Sequence, residues 1–314
     1  MIVRGDRRSR WWEYGLVAGA VGVTGLLVLH FVVPNRVGRL GSALETFLPW
    51  LGVAVPLLVC LALVKRSAAG LIACLLPVLA WFWLFGGLWF ASSSDSYDLT
   101  VVQHNIADDN SDPSGTARAL LAAGADLVAV QELTSAARPV YEDVLGASHP
   151  HRAVHGTVGL WSSYPLTDVR TVDIRPAGFP DSWQRGLRAT VAAPEGAVAV
   201  YVVHLPSVRL GASGFGSAAR DESAALLGAR IADDPAARLL VVGDLNGTVQ
   251  DRGLDPLTSQ LGAPDTGFAF SWPAALPVAR IDQVLGRGVV VTEVSALDAT
   301  GSDHLPVVAR VRLG

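Results

Sequence analysis

The sequence predicts a membrane-anchored protein in two parts: an apolar helical segment over residues 1–96 and a mixed α/β or α+β domain over residues 97–314. Three observations carry that reading. Apolar stretches at 14–33, 47–63 and 70–90 crowd the first third of the chain. Beyond Tyr97, short β-rich runs alternate with helical patterns and with Gly, Pro and Asp punctuation. Basic residues are spread unevenly around the apolar stretches, which sets an expected orientation.

Each apolar stretch holds about 17–21 residues, the length that crosses a hydrocarbon core of about 30 Å, so three transmembrane helices are predicted. Gly and Pro inside them are tolerated better in lipid than in a soluble helix. Trp11, Trp12, Trp50, Trp81, Trp83 and Trp89 stand at or near the stretch ends, as interfacial aromatics do. A signal peptide explains one such stretch but not three, and buried core helices would carry polar faces. Arg4, Arg7, Arg8 and Arg10 precede the first stretch, and Lys65-Arg66 join the second to the third. Arg36 and Arg39 weaken the asymmetry, yet nothing basic follows the third stretch until Arg118. The positive-inside rule then puts the N-terminus in the cytoplasm and everything after Phe90 outside, in a multi-pass plasma-membrane protein. The spacer at 91–96 reaches about 20 Å at most, which would hold the outer domain against the bilayer.

Cys60 and Cys74 both lie in the apolar stretches, so the outer domain is expected to depend on no disulfide. From Tyr97 onward, 16 arginines and no lysine face 24 acids, a formal charge of −8. That balance argues against tight nucleic-acid binding, because a nuclease gains affinity by neutralising phosphates with a basic surface. Strands are predicted at 99–106, 126–131, 159–161, 188–191, 198–204, 239–242, 281–285, 289–294 and 307–311. Helices are predicted at 116–123, closed by Gly124, and at 217–231, opened by Ser217.

Several of these strands end in chemically active side chains. Asn105 closes the first. Glu132 follows the apolar run 128–130 and is a hard oxygen donor suited to a cation such as Mg²⁺. His204 ends the run 198–203. Asp244 and Asn246 share a face if their strand extends that far. Asp282 sits in an apolar run, where an unpaired charge is costly, so it needs a partner, and His304 is a candidate. Asp303-His304, inside Gly301-Ser302-Asp303-His304-Leu305-Pro306, place a carboxylate beside an imidazole at the entrance of the last strand. Each feature also has an ordinary reading. Glu132 can open a helix, Asn246-Gly247 can be a turn, His204 can be a satisfied buried residue, and Asp282 can pair with Arg280. One shared site accounts for all of them at once.

In this order, Asn105, Gln131-Glu132, His204, Gly243-Asp244-Leu245-Asn246, Arg280-Ile281-Asp282 and Ser302-Asp303-His304-Leu305-Pro306 resemble the endonuclease/exonuclease/phosphatase (DNase I-like) superfamily over residues 97–314. The resemblance implies an α+β four-layer α/β/β/α sandwich behind the transmembrane helices. It also implies a Mg²⁺ or Mn²⁺ ion held by Glu132 with Asn105 and Asp303. Asp244 would orient or deprotonate the attacking water, and Asn246 would hold the phosphate. His204 and His304 would neutralise phosphoryl oxygens, with Asp282 fixing the His304 ring.

Arg188, Arg209 and Arg220 are candidates to line a phosphate pocket, as is Arg185, although a surface ion pair is the plainer reading of any one. Phe179, Trp183, Phe215, Phe268, Phe270 and Trp272 fall in expected loops, for core packing or for contact with lipid or a substrate tail. The anchor with an outward domain further resembles the actinobacterial VanJ-type teicoplanin-resistance membrane proteins. That resemblance implies hydrolysis of a lipid-linked phosphate at the bilayer, most specifically undecaprenyl pyrophosphate. The alternatives are a phosphodiesterase acting on phospholipid headgroups, a tethered nuclease, and a non-catalytic binder of a lipid-linked ligand.

Overall fold

The computed structural model describes residues 7–90, 96–264 and 266–314. The expected spacer at 91–96 falls almost wholly outside them, as does Arg4. The N-terminal part contains helices α1 (Arg7–Val28), α2 (Leu40–Thr46), α3 (Ala54–Val64), α4 (Ala68–Ala73), α5 (Leu75–Phe85) and α6 (Gly87–Phe90). Two segments, Trp11–Val28 and Ala68–Phe85, are long and apolar enough to cross a membrane. The expected middle span is more complicated. A 3₁₀ turn (Leu48–Val53) runs into α3, and this helix is bent 70° from α2. Leu48–Val64 covers only about 25–29 Å, just short of the hydrocarbon core, so it counts as a span only if the bent pair is taken as one.

The remaining residues form two facing sheets. Their strands and helices run β1 (Leu99–Asn105), α7 (Pro113–Ala122), β2 (Leu127–Gln131), α8 (Arg138–Gly146), β3 (His151–His155), β4 (Val158–Ser162), β5 (Leu166–Thr171), β6 (Gly186–Ala193) and β7 (Gly196–His204). Then follow β8 (Leu210–Gly211), β9 (Gly214–Phe215), α9 (Ala218–Ala232), β10 (Leu239–Asp244), α10 (Asp255–Thr258), β11 (Asp282–Arg287), β12 (Val290–Ala296) and β13 (Val307–Arg312). One sheet has the order β12-β13-β1-β2-β4-β3, the other β11-β10-β7-β6-β5. Beyond the expected elements stand α8, the strands β3 and β5, and the short β8, β9 and α10. β5 has no buried residue and β3 only Ala153, so neither carries the apolar run that marks a strand.

Alternation along the strands builds the layers. Leu99 and Val101, Leu127 and Ala129, Val198 to Val202 at every second residue, and Leu240 and Val242 meet between the sheets. The opposite faces of the same strands take the helices. Tyr201, Val203 and Val241 pack with Leu227 and Ile231 of α9, while Val102, Val128 and Val130 pack with Leu120 of α7 and Leu145 of α8. The result is the α/β/β/α sandwich.

The domain sits directly on the helical part. Glu45 of α2, 1 % exposed, accepts from Arg252 Nε at 2.8 Å and Nη2 at 2.6 Å, and His30 Nδ1 lies 2.9 Å away. Arg252 also donates to the carbonyls of His30 and Val33, which leave α1. Trp50 Nε1 donates to Val278 O at 2.6 Å, and Gly267 N to Leu88 O at 3.1 Å. At the far end of the bundle, Lys65 Nζ lies 4.4 Å over the Trp12 ring.

Candidate active site

The site lies where the inner-face register runs out of apolar residues. β1 pairs parallel with β2, and β7 parallel with β10, so the C-terminal ends of all four strands can share one edge. Continuing the inner-face alternation, β1 reaches Gln103 and Asn105, β7 reaches His204 and β10 reaches Asp244. β11 runs antiparallel to β10, so its first residue, Asp282, lies opposite Asp244. The turn before β13 adds Ser302, Asp303 and His304; Ser302 Oγ donates to Asn105 O at 2.7 Å and so ties that turn to β1.

Strained backbone completes the layout. Glu132, just past β2, has φ +61°, Ala107 +57° and Asn246 +48°, all in the left-handed region that non-glycine residues rarely adopt. Such conformations cost about 1–3 kcal/mol each and persist only where surrounding contacts hold them. At Gly243 a β-carbon would come within 1.9 Å of Val203 O, so β10 and β7 can run this close only with glycine there. β10 stops at Asp244. The condition for a shared face with Asn246 is therefore not met. Instead its backbone N donates to Asp244 Oδ1 at 2.9 Å, and its side chain donates to Leu205 O at 2.9 Å.

Asp244 is the hub. Its Oδ2 accepts from Asn105 Nδ2 at 3.1 Å and lies 3.5 Å from His204 Nε2 and 3.8 Å from His304 Nε2. Asn105 Nδ2 also donates to Glu132 Oε1 at 3.1 Å, and the Asp108 amide donates to Glu132 Oε2 at 3.1 Å. Asp282 Oδ2 accepts from His304 at 2.8 Å and from Ser271 at 2.6 Å, and its Oδ1 accepts from Gln103. Arg280 does not pair with Asp282; it donates to Gly267 O. Burial lowers its pKa to about 10.

Burial sets the charges, modified by neighbours. It drives the Asp244 carboxyl upward to about 7, with Asp282 adding to the rise and His304 opposing it. Burial works against a charged His304, but the Asp282 and Asp244 carboxylates overcome it and lift the imidazole to about 10. Asp282 is held ionised, its burial outweighed by His304. His204 is fully buried and driven well below the usual imidazole range by burial, then by Arg185, whose Nη1 lies 3.0 Å from Nδ1. His204 is thus a neutral ring with no exposed surface. The expectation that it neutralises a phosphoryl oxygen directly is corrected: the fixed positive charge on that side is Arg185, half-buried beside Trp183.

Two donor groups could attract a cation. Asp244, Asp282 and His304 have ligand atoms within 4.8 Å of one another. Asp282, however, already accepts from three partners, and His304 Nδ1 is engaged by it, so this trio is internally satisfied. The second is the expected set: Glu132, bonded to the buried Asn105, and Asp303, which is 69 % exposed with Oδ1 4.0 Å from His304 Nε2. Carboxylate and amide oxygens are hard donors, and Glu132 is already oriented by Asn105 and the Asp108 amide, so these residues fit Mg²⁺ or Mn²⁺.

Of the expected arginines, Arg185 stands at the site beside His204, and the other three are placed differently. Arg188 is buried on the outer face of β6, bonded to Asp234 Oδ2 at 3.1 Å and paired with Asp168. Leu187, Ala189 and Val191 occupy the inner face, so the alternation itself turns Arg188 away from the site. Arg220 is fully buried in α9, paired with Asp221 and Asp251, and donates to Asn246 O at 3.0 Å; it braces the site loop from behind. Arg209 is exposed in the β7–β8 loop, and its carbonyl accepts from Gly216 N. Gln103 and Ser271, which hold Asp282, carried no motif that sets them apart in the sequence.

Residues 102–304, well over half of the chain, match the sequence profile of the Endonuclease/Exonuclease/phosphatase family. The chain belongs to that family. Its members are metal-dependent phosphoesterases and nucleases. Sphingomyelinase C from Streptomyces griseocarneus shares the fold with a TM-score of 0.53 at 19 % identity, over 68 % of this chain and 99 % of that one. A Bacteroides vulgatus endonuclease/exonuclease/phosphatase gives 0.55 at 19 %, over 70 % and 100 %. A Staphylococcus aureus beta-toxin variant with bound magnesium ions gives 0.53 at 16 %, over 68 % and 99 %. No curated protein sequence matches the chain significantly.

Proposed function

We propose that this protein is a membrane-anchored, Mg²⁺- or Mn²⁺-dependent phosphohydrolase. Its site faces out of the cytoplasm and acts on a lipid-linked phosphate, with undecaprenyl pyrophosphate the first substrate to test. The observation that carries the reading is the seating of the domain on one end of the helical bundle, through Arg252, Val278 and Gly267. A site so mounted serves headgroups rather than soluble polymers, and the domain's net negative charge is poorly suited to nucleic acid. Lys65 over Trp12, at the opposite end of the bundle from the domain, supports the orientation that the positive-inside rule leads one to expect. The VanJ-type resemblance sets the reaction in cell-envelope metabolism and glycopeptide resistance.

Asp244, poised near neutrality, accepts the proton of a water whose oxygen attacks the terminal phosphorus. The bridging P–O bond breaks and the lipid monophosphate leaves. The His304 imidazolium, anchored by Asp282, offers Nε2 to a phosphoryl oxygen. Neutral His204 and Asn105 keep Asp244 in place, and Asn246 positions the phosphate. Glu132, Asn105 and Asp303 would hold a divalent cation, which would supply positive charge against the phosphoryl oxygens. The test is inorganic phosphate release from undecaprenyl pyrophosphate, with Mg²⁺ and with chelator, beside sphingomyelin and DNA. Release that needs Mg²⁺ and disappears in Glu132→Ala and His304→Ala is expected. Turnover of sphingomyelin alone would make the protein a headgroup phosphodiesterase, and turnover of DNA alone a tethered nuclease. Binding without turnover would leave a lipid binder.

A further inference from the structure

An open apolar groove of about 440 Å³ lies where the helix Leu48–Val64, the helix α5–α6 and the loop at 268–272 meet. Among the described residues, no charged side chain lines it. Its wall is an aromatic ladder spanning both parts of the protein. Trp50 stacks on Phe270 at 5.6 Å between ring centroids, Trp81 on Phe268 at 6.2 Å, and the two phenylalanines lie 5.3 Å apart. The indole N–H groups of Trp50 and Trp81 are already used, on Val278 O and on Pro49 O at 2.8 Å, so these two rings make no polar demand on an occupant. A β-carbon at Gly52 would come within 2.5 Å of Trp81 Nε1, so glycine there is what lets Trp81 lie flat against the wall.

The groove wall is linked to the site through the chain and its hydrogen bonds. Phe270 precedes Ser271, whose Oγ donates to Asp282, and Asp282 holds His304. We propose that this groove seats the hydrocarbon chain of the lipid whose phosphate is hydrolysed at Asp244. The inference rests on the phosphohydrolase reading and adds how the substrate is recognised. A chain lying along Phe268 and Phe270 would carry its headgroup to within on the order of 10 Å of His304, two to three residue lengths. Bulk lipid covers any exposed apolar helix face. This surface differs in being concave, walled by the catalytic domain and joined to the residue that anchors His304.

The test uses the full chain in phosphatidylcholine nanodiscs, with hexadecyl and butyl pyrophosphate as paired substrates. Val53→Trp and Val78→Trp fill the groove from its two helices without touching the site. Each is expected to lower kcat/KM for the hexadecyl compound about tenfold or more, the equivalent of roughly two lost buried methylenes, and to leave the butyl compound unchanged. In the wild-type protein, a hexadecyl pyrophosphate carrying a mid-chain diazirine is expected to label Trp50, Val53 or Phe270, with competition by unlabelled compound. Equal effects on both chain lengths, or labelling of α1 with none in the groove, would overturn the proposal. Failure to hydrolyse either substrate counts against the phosphohydrolase reading alone, and the labelling then decides the groove.

Discussion

His204 and His304 approach the same carboxylate oxygen from opposite sheets at nearly equal range, 3.5 and 3.8 Å, and they carry opposite charge states. Both are buried, so neither burial nor the shared Asp244 separates them. The difference is what each ring meets at its other nitrogen. His304 Nδ1 meets the Asp282 carboxylate, which fixes a proton, and His204 Nδ1 meets the Arg185 guanidinium, which repels one. The role of a site histidine is therefore set by the residue behind it. Asp244 has a pKa near 7 instead of deep in the carboxylate range, because its burial outweighs the pull of the His304 imidazolium.

The comparison can be broken most severely at its shared partner. Asp244→Asn is expected to lower kcat about 10²–10⁴-fold in a phosphate-release assay, the range for loss of a general base. Removing the residue behind one ring comes next. Asp282→Asn is expected to cost about 10–100-fold at pH 8, the range for losing a group that orients a ligand or catalytic ring. It should also move the alkaline fall of the rate from about 10 towards the unperturbed value near 6.5. Arg185→Ala acts on the other ring. It should raise KM about tenfold, the equivalent of about 1.4 kcal/mol, with kcat less affected, and NMR titration should show the His204 pKa rising.

The smallest effect is on stability, measured as the denaturation midpoint against pH with chelator present. The folded pKa of His304 is raised, so its contribution is complete below about 6.5 and is lost as pH rises towards about 10. Asp282→Asn should flatten that slope. A slope unchanged in the variant would mean that His304 is neutral in the folded protein.

The strand-end residues were legible because strands have a period of two. Once Leu99 and Val101, or Leu240 and Val242, mark the inner face, Asn105 and Asp244 follow on it. The same rule assigns Arg188 to the outer face, and it is with Asp234 that it pairs. Residues outside the regular strands were less legible. Asn246 left the strand for a left-handed turn, and Glu132 did the same beyond β2, which no periodicity reports. Gln103 and Ser271 lie 168 positions apart in the chain and meet only on Asp282.

By itself, then, the sequence determined the apolar N-terminal helices, the succession of strands and the set of acids, amides and imidazoles at their ends, because hydropathy and alternation are local properties of the chain. Tertiary structure alone decided which imidazole is charged, which arginine stands at the site, how the middle apolar stretch bends, and that Trp50 and Phe270 share a wall. Those outcomes depend on distances between residues remote in sequence and on the burial that packing imposes, and neither is encoded at any single position.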